Sequence, residues 1–126
     1  MASIQGFHHI MLKAADLDAT VRFYTQVLDF KVEFSFTGGA MLVADDGVHL
    51  EVMAGGQPFS ATQGFAHIAL ATDDVDAVLD KVRAYGQPVT VEPRDHTFDC
   101  QPAVRVRLAF FTGPSDETVE LFHVYP

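Results

Sequence analysis

The chain has 126 residues, of which 48% are hydrophobic and 20% charged, the composition of one folded domain and not of a disordered segment. A formal net charge of −9 argues against a nucleic-acid backbone or an anionic membrane surface as partner, and is compatible with a metal cation or a neutral small molecule. With a single cysteine, Cys100, no intrachain disulfide is possible, and a reducing, cytoplasmic setting is expected.

Met1 to Gln5 lack the basic-then-apolar order of a signal peptide, and no apolar run approaches the length of a membrane span, so a soluble protein is expected. From Phe7 to Lys13 the chain alternates as a strand does, with Ile10 and Leu12 on one face and Phe7, His9, Met11 and Lys13 on the other. Asp16 is placed to cap a helix. Leu17, Val21, Tyr24 and Leu28 then recur at helical spacing and predict an apolar stripe.

After Phe30 the period returns to two. Lys31 to Phe36 alternates, Met41 to Ala44 reads as a short strand, and Asp45-Asp46-Gly47 is a turn signal. Val48 to Met53 alternates again, with Val48, Leu50 and Val52 on one side and His49, Glu51 and Met53 on the other. The first module is therefore βαβββ, spanning about 6–53, and the small, glycine-bearing stretch 54–63 reads as a linker inside a single 126-residue domain.

The second module, about 64–125, repeats the plan. Phe65 to Ala71 is a strand, Asp74 a cap, and Val75, Val78, Leu79 and Val82 mark a helix that Gly86 ends. Val89 to Glu92 is a strand, Pro93 to Ala103 is expected to be a polar loop carrying His96, Asp99 and Cys100, and Val104 to Phe111 is a strand. Thr112 to Asp116 is a turn before the last strand, Thr118 to Val124.

The two halves share more than a plan. Gly6, Phe7, His9, Ile10, Leu12, Asp16, Asp18 and Ala19 recur in register as Gly64, Phe65, His67, Ile68, Leu70, Asp74, Asp76 and Ala77. On the strand faces opposite the apolar ones stand His9 and Glu51 in the first module, and His67 and Glu120 in the second. Each histidine lies in its module's first strand and each glutamate in its last. Two imidazoles and two carboxylates suit a borderline divalent ion such as Zn, Ni, Co, Mn or Fe, and in an octahedral shell they leave two positions open. Glu51, between Leu50 and Val52, is harder to dismiss as a surface residue than Glu120, which follows Glu117 in a polar turn.

These segments resemble the vicinal oxygen chelate superfamily, the glyoxalase/bleomycin resistance/dioxygenase group. The resemblance rests on His9-Ile10-Met11-Leu12 with Asp16-Leu17, on Phe23-Tyr24-Thr25-Gln26-Val27-Leu28-Asp29-Phe30, and on Gly64 to Leu70. Phe110 to Pro114 ahead of Val119-Glu120-Leu121 completes it. It implies an α+β fold of two paired βαβββ modules forming an open barrel. It also implies His9, Glu51, His67 and Glu120 as metal ligands, and a homodimer with the site at or near the subunit interface. The activity implied is that of a lyase or isomerase in which Glu120, or the mirror-related Glu51, moves a proton through an enediolate of a metal-chelated small substrate.

Lys13, Met11, His49 and Phe122 are the expected substrate contacts. The chain departs from glutathione-dependent relatives in three places: Lys13 stands for an arginine, Ala54-Gly55-Gly56 for an aromatic segment, and Gly113-Pro114-Ser115-Asp116 for an Asp-Pro-Asp-Gly turn. Asp29 stands where the group usually has glycine. Two further readings are an extradiol-type dioxygenase and a small-molecule binder without catalysis. His8 and His123, by parity, fall on faces opposite His9 and Glu120.

Overall fold

The computed structural model describes residues 7–56 and 67–126. Gly6, Gly64, Phe65, Ala66 and the 57–63 part of the linker lie outside the described residues. The chain divides into two compact units, Met1–Gln57 and Pro58–Pro126.

In the first unit the order is β1 (His9–Lys13), α1 (Leu17–Gln26), β2 (Lys31–Phe36), β3 (Gly39–Val43) and β4 (His49–Met53). They form a sheet of order β1-β4-β3-β2, in which β1 runs parallel to β4 and the other pairs are antiparallel. In the second unit β5 (Ile68–Ala71), α2 (Val75–Tyr85), β6 (Val89–Phe98), β7 (Val104–Thr112) and β8 (Thr118–Val124) repeat the scheme as β5-β8-β7-β6. The α+β class and the doubled βαβββ plan are thus observed.

Both helices start where an aspartate supplies an acceptor. Asp16 takes the N–H of Ala19 and Asp74 that of Ala77, each at 3.0 Å. α2 ends at Gly86, whose φ of +105° is the left-handed conformation glycine adopts without strain. Val75, Leu79 and Val82 are buried as expected, and Val78 is half-buried at the margin of the stripe.

The stripe of α1 is rotated from the expected one. Thr20, Phe23, Tyr24 and Val27 are buried, whereas Leu17, Val21 and Leu28 are half-buried. The edge-to-face contacts of Tyr24 with Phe23 and Phe30, each 5.7 Å between centroids, set that orientation. Leu17 and Val21 instead line an open groove of about 480 Å³ against Phe36 and Gly38–Ala40.

Two strands depart from the alternation expected of them. In β2, Val32 opposes Leu42 and Phe34 opposes Met41, so one extra residue, Glu33, is bulged. The expected loop at 93–103 is corrected over its first half: β6 continues through Pro93 to Phe98. Proline is tolerated because β6 is an edge strand and Pro93 lies within a bulge, between the pairs Val91–Phe110 and Arg94–Leu108. His96 is therefore a strand residue, paired in register with Val106, while Cys100 lies beyond the strand and is exposed.

Candidate metal centre

In each unit the first strand lies parallel to the last, which brings a histidine beside a glutamate. In the first unit the register pairs His9 with His49, Met11 with Glu51 and Lys13 with Met53, so all six residues share a face. His9 Nε2 is 3.6 Å from Glu51 Oε1. In the second unit Ala69 pairs with Glu120 and Ala71 with Phe122, and His67, just before β5, brings Nε2 to 3.1 Å from Glu120 Oε1. The ring of His67 also meets that of Phe110 edge-on at 5.3 Å.

Two donors bound cis to one ion, at bonds of about 2.1 Å, stand roughly 3 Å apart. The His67–Glu120 separation of 3.1 Å matches that spacing, and the His9–Glu51 separation of 3.6 Å is wider than it. The donor chemistry therefore fits a divalent ion in pairs. Among the described residues no group of three or more such side chains is gathered in one place, so each unit presents two donors.

The expectation about the glutamates is reversed. Glu120 is the more buried, its side chain 10% exposed against 21% for Glu51, although it follows a turn. Its neighbour Glu117 is buried as well and accepts the Ser115 N–H at 2.7 Å, which closes the turn from within. A Cβ at Gly113 would collide with the Glu117 carboxylate.

The remaining expected contacts fall as follows. Met11 and Lys13 are exposed on the His9 face, and Phe122 is half-buried on the Glu120 face. His49 is half-buried, and its Nε2 lies 2.9 Å from Glu33 Oε2. Ile10, expected in the core, is 48% exposed, because β1 is an edge strand and Leu12 alone of its residues is buried.

Parity misplaced His8. It precedes β1, so the strand rule does not govern it, and its ring stacks on that of His49 with centroids 4.5 Å apart. Its Nδ1 is 2.9 Å from His9 Nδ1, one ring donating to the other. Glu51, His9, His8, His49 and Glu33 thus form a continuous chain of contacts. Glu33 shares the face of Lys31, which the register carries through Val43 to His49, and its carboxylate thus reaches that ring. His123 lies on the face away from Glu120, its ring edge-on to Tyr125.

Residues 6–121 match the sequence model of the Glyoxalase/Bleomycin resistance protein/Dioxygenase superfamily. The chain is 32% identical to the lactoylglutathione lyase GLX1 of Arabidopsis thaliana over 69% of its own length and 35% of that protein's. It therefore spans about a third of the plant relatives it matches. It is also similar to a probable lactoylglutathione lyase of Vibrio cholerae, at 30% identity over 68% of this chain and 70% of the other.

Among solved structures, a glyoxylase/bleomycin resistance protein/dioxygenase domain from Frankia sp. EAN1pec superposes with a TM-score of 0.78 at 21% identity, covering 98% of this chain and all of that one, 100%. The fosfomycin resistance protein FosX of Mesorhizobium loti does so with a TM-score of 0.74 at 20% identity, covering 96% and 93%. At these identities the structural likeness establishes the fold.

Proposed function

The chain belongs to the glyoxalase/bleomycin resistance protein/dioxygenase superfamily, and on that premise we propose that it is a metal-dependent lyase or isomerase of the glyoxalase type. Its substrate is a small molecule presenting two vicinal oxygens. His9, Glu51, His67 and Glu120 are the ligand set for a divalent ion, Zn, Ni, Co, Mn or Fe. When bound, the ion would supply Lewis-acid polarisation of a carbonyl.

Glu120 takes the proton alpha to that carbonyl and returns it to the neighbouring carbon. Its shelter from bulk water, at 10% side-chain exposure, keeps that proton from being lost to solvent. Glu51 is the mirror-related base. Met11, Lys13, His49 and Phe122 contact the substrate from the same two strand faces. The protein works as a homodimer, and its single cysteine fits a cytoplasmic setting.

One observation supports the reading above all: the recurrence of a histidine–glutamate pair, at 3.6 Å and 3.1 Å, on the corresponding parallel strands of both units. The relatives named lactoylglutathione lyase support the reaction class.

The test is equilibrium dialysis of the purified, untagged chain against each ion, followed by metal analysis. His67→Ala should weaken binding by at least roughly 100-fold, the loss already typical of partners outside the ligand set. Uptake that His67→Ala leaves unchanged refutes the ligand set. With metal bound, slow turnover of the methylglyoxal–glutathione hemithioacetal is expected, because Lys13 lacks the planar fork of arginine. Oxygen-dependent cleavage of a catechol would turn the assignment to a dioxygenase.

A further inference from the structure

On the face of the second unit that carries Glu120, the register sets Arg94, Leu108 and Phe122 side by side across β6, β7 and β8. β6 carries two register shifts, between Val89 and Val91 and between Val91 and Arg94, and the two cancel, so Arg94 lies on the face opposite Val89. Glu92 and Asp95, on either side of it, are engaged elsewhere. Glu92 binds Arg83 of α2, and Asp95 binds Arg107, whose guanidinium also grips Asp76 of α2.

The other arginines of this unit are occupied. Arg83, Arg105 and Arg107 are each bound to a carboxylate. Arg94 is exposed and takes part in no ion pair or side-chain hydrogen bond among the described residues. The chain as a whole carries −9, so an anionic molecule is repelled at long range unless a local cation receives it.

We propose that Arg94 anchors an anionic end of the substrate. The substrate class is then a small molecule with vicinal chelating oxygens at one end and a carboxylate or similar oxyanion at the other. This rests on His67 and Glu120 being metal ligands. Two strand spacings and two residues of rise put the Cα of Arg94 roughly 12 Å from that of Glu120. The two side chains shorten that gap to the length of a short dicarboxylate. Buried Leu108 and half-buried Phe122 lie between, so the linking segment is apolar. The guanidinium fork meets a carboxylate with two parallel hydrogen bonds, which lysine cannot reproduce.

The experiment loads the protein with Zn or Mn and measures, by calorimetry, binding of monohydroxamates of succinic to adipic acid against neutral alkyl hydroxamates of equal length. At least one acid-bearing ligand should bind about tenfold or more tightly than its neutral counterpart. Arg94→Ala should erase that preference and leave the neutral ligands unchanged, and Arg94→Lys should keep part of it. Equal affinities in the wild type, or a preference that survives Arg94→Ala, overturn the proposal while the metal site stands. Failure of the protein to take up metal at all, read in a prior titration, overturns the ligand set and this proposal with it.

Discussion

At the scale of single residues, the contacts of His49 and the backbone of Asp29 each carry a prediction. Glu33 projects from the β2 bulge and takes His49 Nε2 at 2.9 Å, while His8 covers the other side of the same ring. The carboxylate calls for a proton on His49 Nε2, which donates to it. Glu33→Ala should therefore move the ring ¹⁵N shifts of His49, and Glu33→Gln should leave them nearer the wild type. Stability should change by less than about 1 kcal/mol, since the Glu33 side chain is 46% exposed. Unchanged shifts in the alanine variant would show that Glu33 does not orient the ring. Asp29 is the second case. Its φ of +62° lies in the left-handed region that favours glycine. Asp29→Val should cost about 1–2 kcal/mol in urea unfolding, and Asp29→Gly far less.

At the scale of elements, the β6–β7 hairpin is tied down by charge. Arg107 bridges Asp76 of α2 and Asp95 of β6, and Arg105 and the Tyr125 hydroxyl close on Asp95 as well. The Arg107 guanidinium holds the Asp76 carboxyl below its ordinary range, and hydrogen bonds from Tyr125 and Arg107 do the same for Asp95. A carboxyl whose folded pKa is depressed adds stability above its unfolded value and loses it as pH falls through the folded one. Arg107→Ala should then lower the Tm by a few degrees at neutral pH, and the gap should close as pH falls below the ordinary aspartate range and through the depressed folded values. Raised salt should narrow it too, because these groups are solvent-exposed. A gap that does not vary with pH would assign the effect to packing of the Arg107 stem.

The same hairpin shows what alternation could and could not reveal. Helix starts were legible because Asp16 and Asp74 act within three residues of themselves. The first and last strands were legible because their faces differ in polarity. The bulges were not: Val32 and Phe34, like Val89 and Val91, look like same-face pairs but oppose residues of opposite faces. One inserted residue flips everything after it, and nothing in residue type announces the insertion. Arg94 was hidden because β6 runs on through Pro93, where residue type announces a break.

At the scale of the whole molecule, the proposed ligand set takes one histidine–glutamate pair from each unit, and among the described residues no three such donors gather. The repeat in the sequence exposed each pair, because a histidine recurs at the same place in both modules. It carried no information on which copies share an ion, since identical motifs serve equally within one chain or between two. A homodimer in which one protomer's His9 and Glu51 complete the partner's His67 and Glu120 makes a specific prediction. His9→Ala and His67→Ala each lose high-affinity metal. Unfolded and refolded together, they form hybrid dimers in which both losses fall in one site and leave the other intact. Metal uptake should then recover to about one ion per hybrid dimer, purified by differential tagging of the two variants and removal of the tags. Were each site built within one chain, every site in the hybrid would lack a ligand and no recovery would occur. Equilibrium dialysis reads the difference directly, without a substrate.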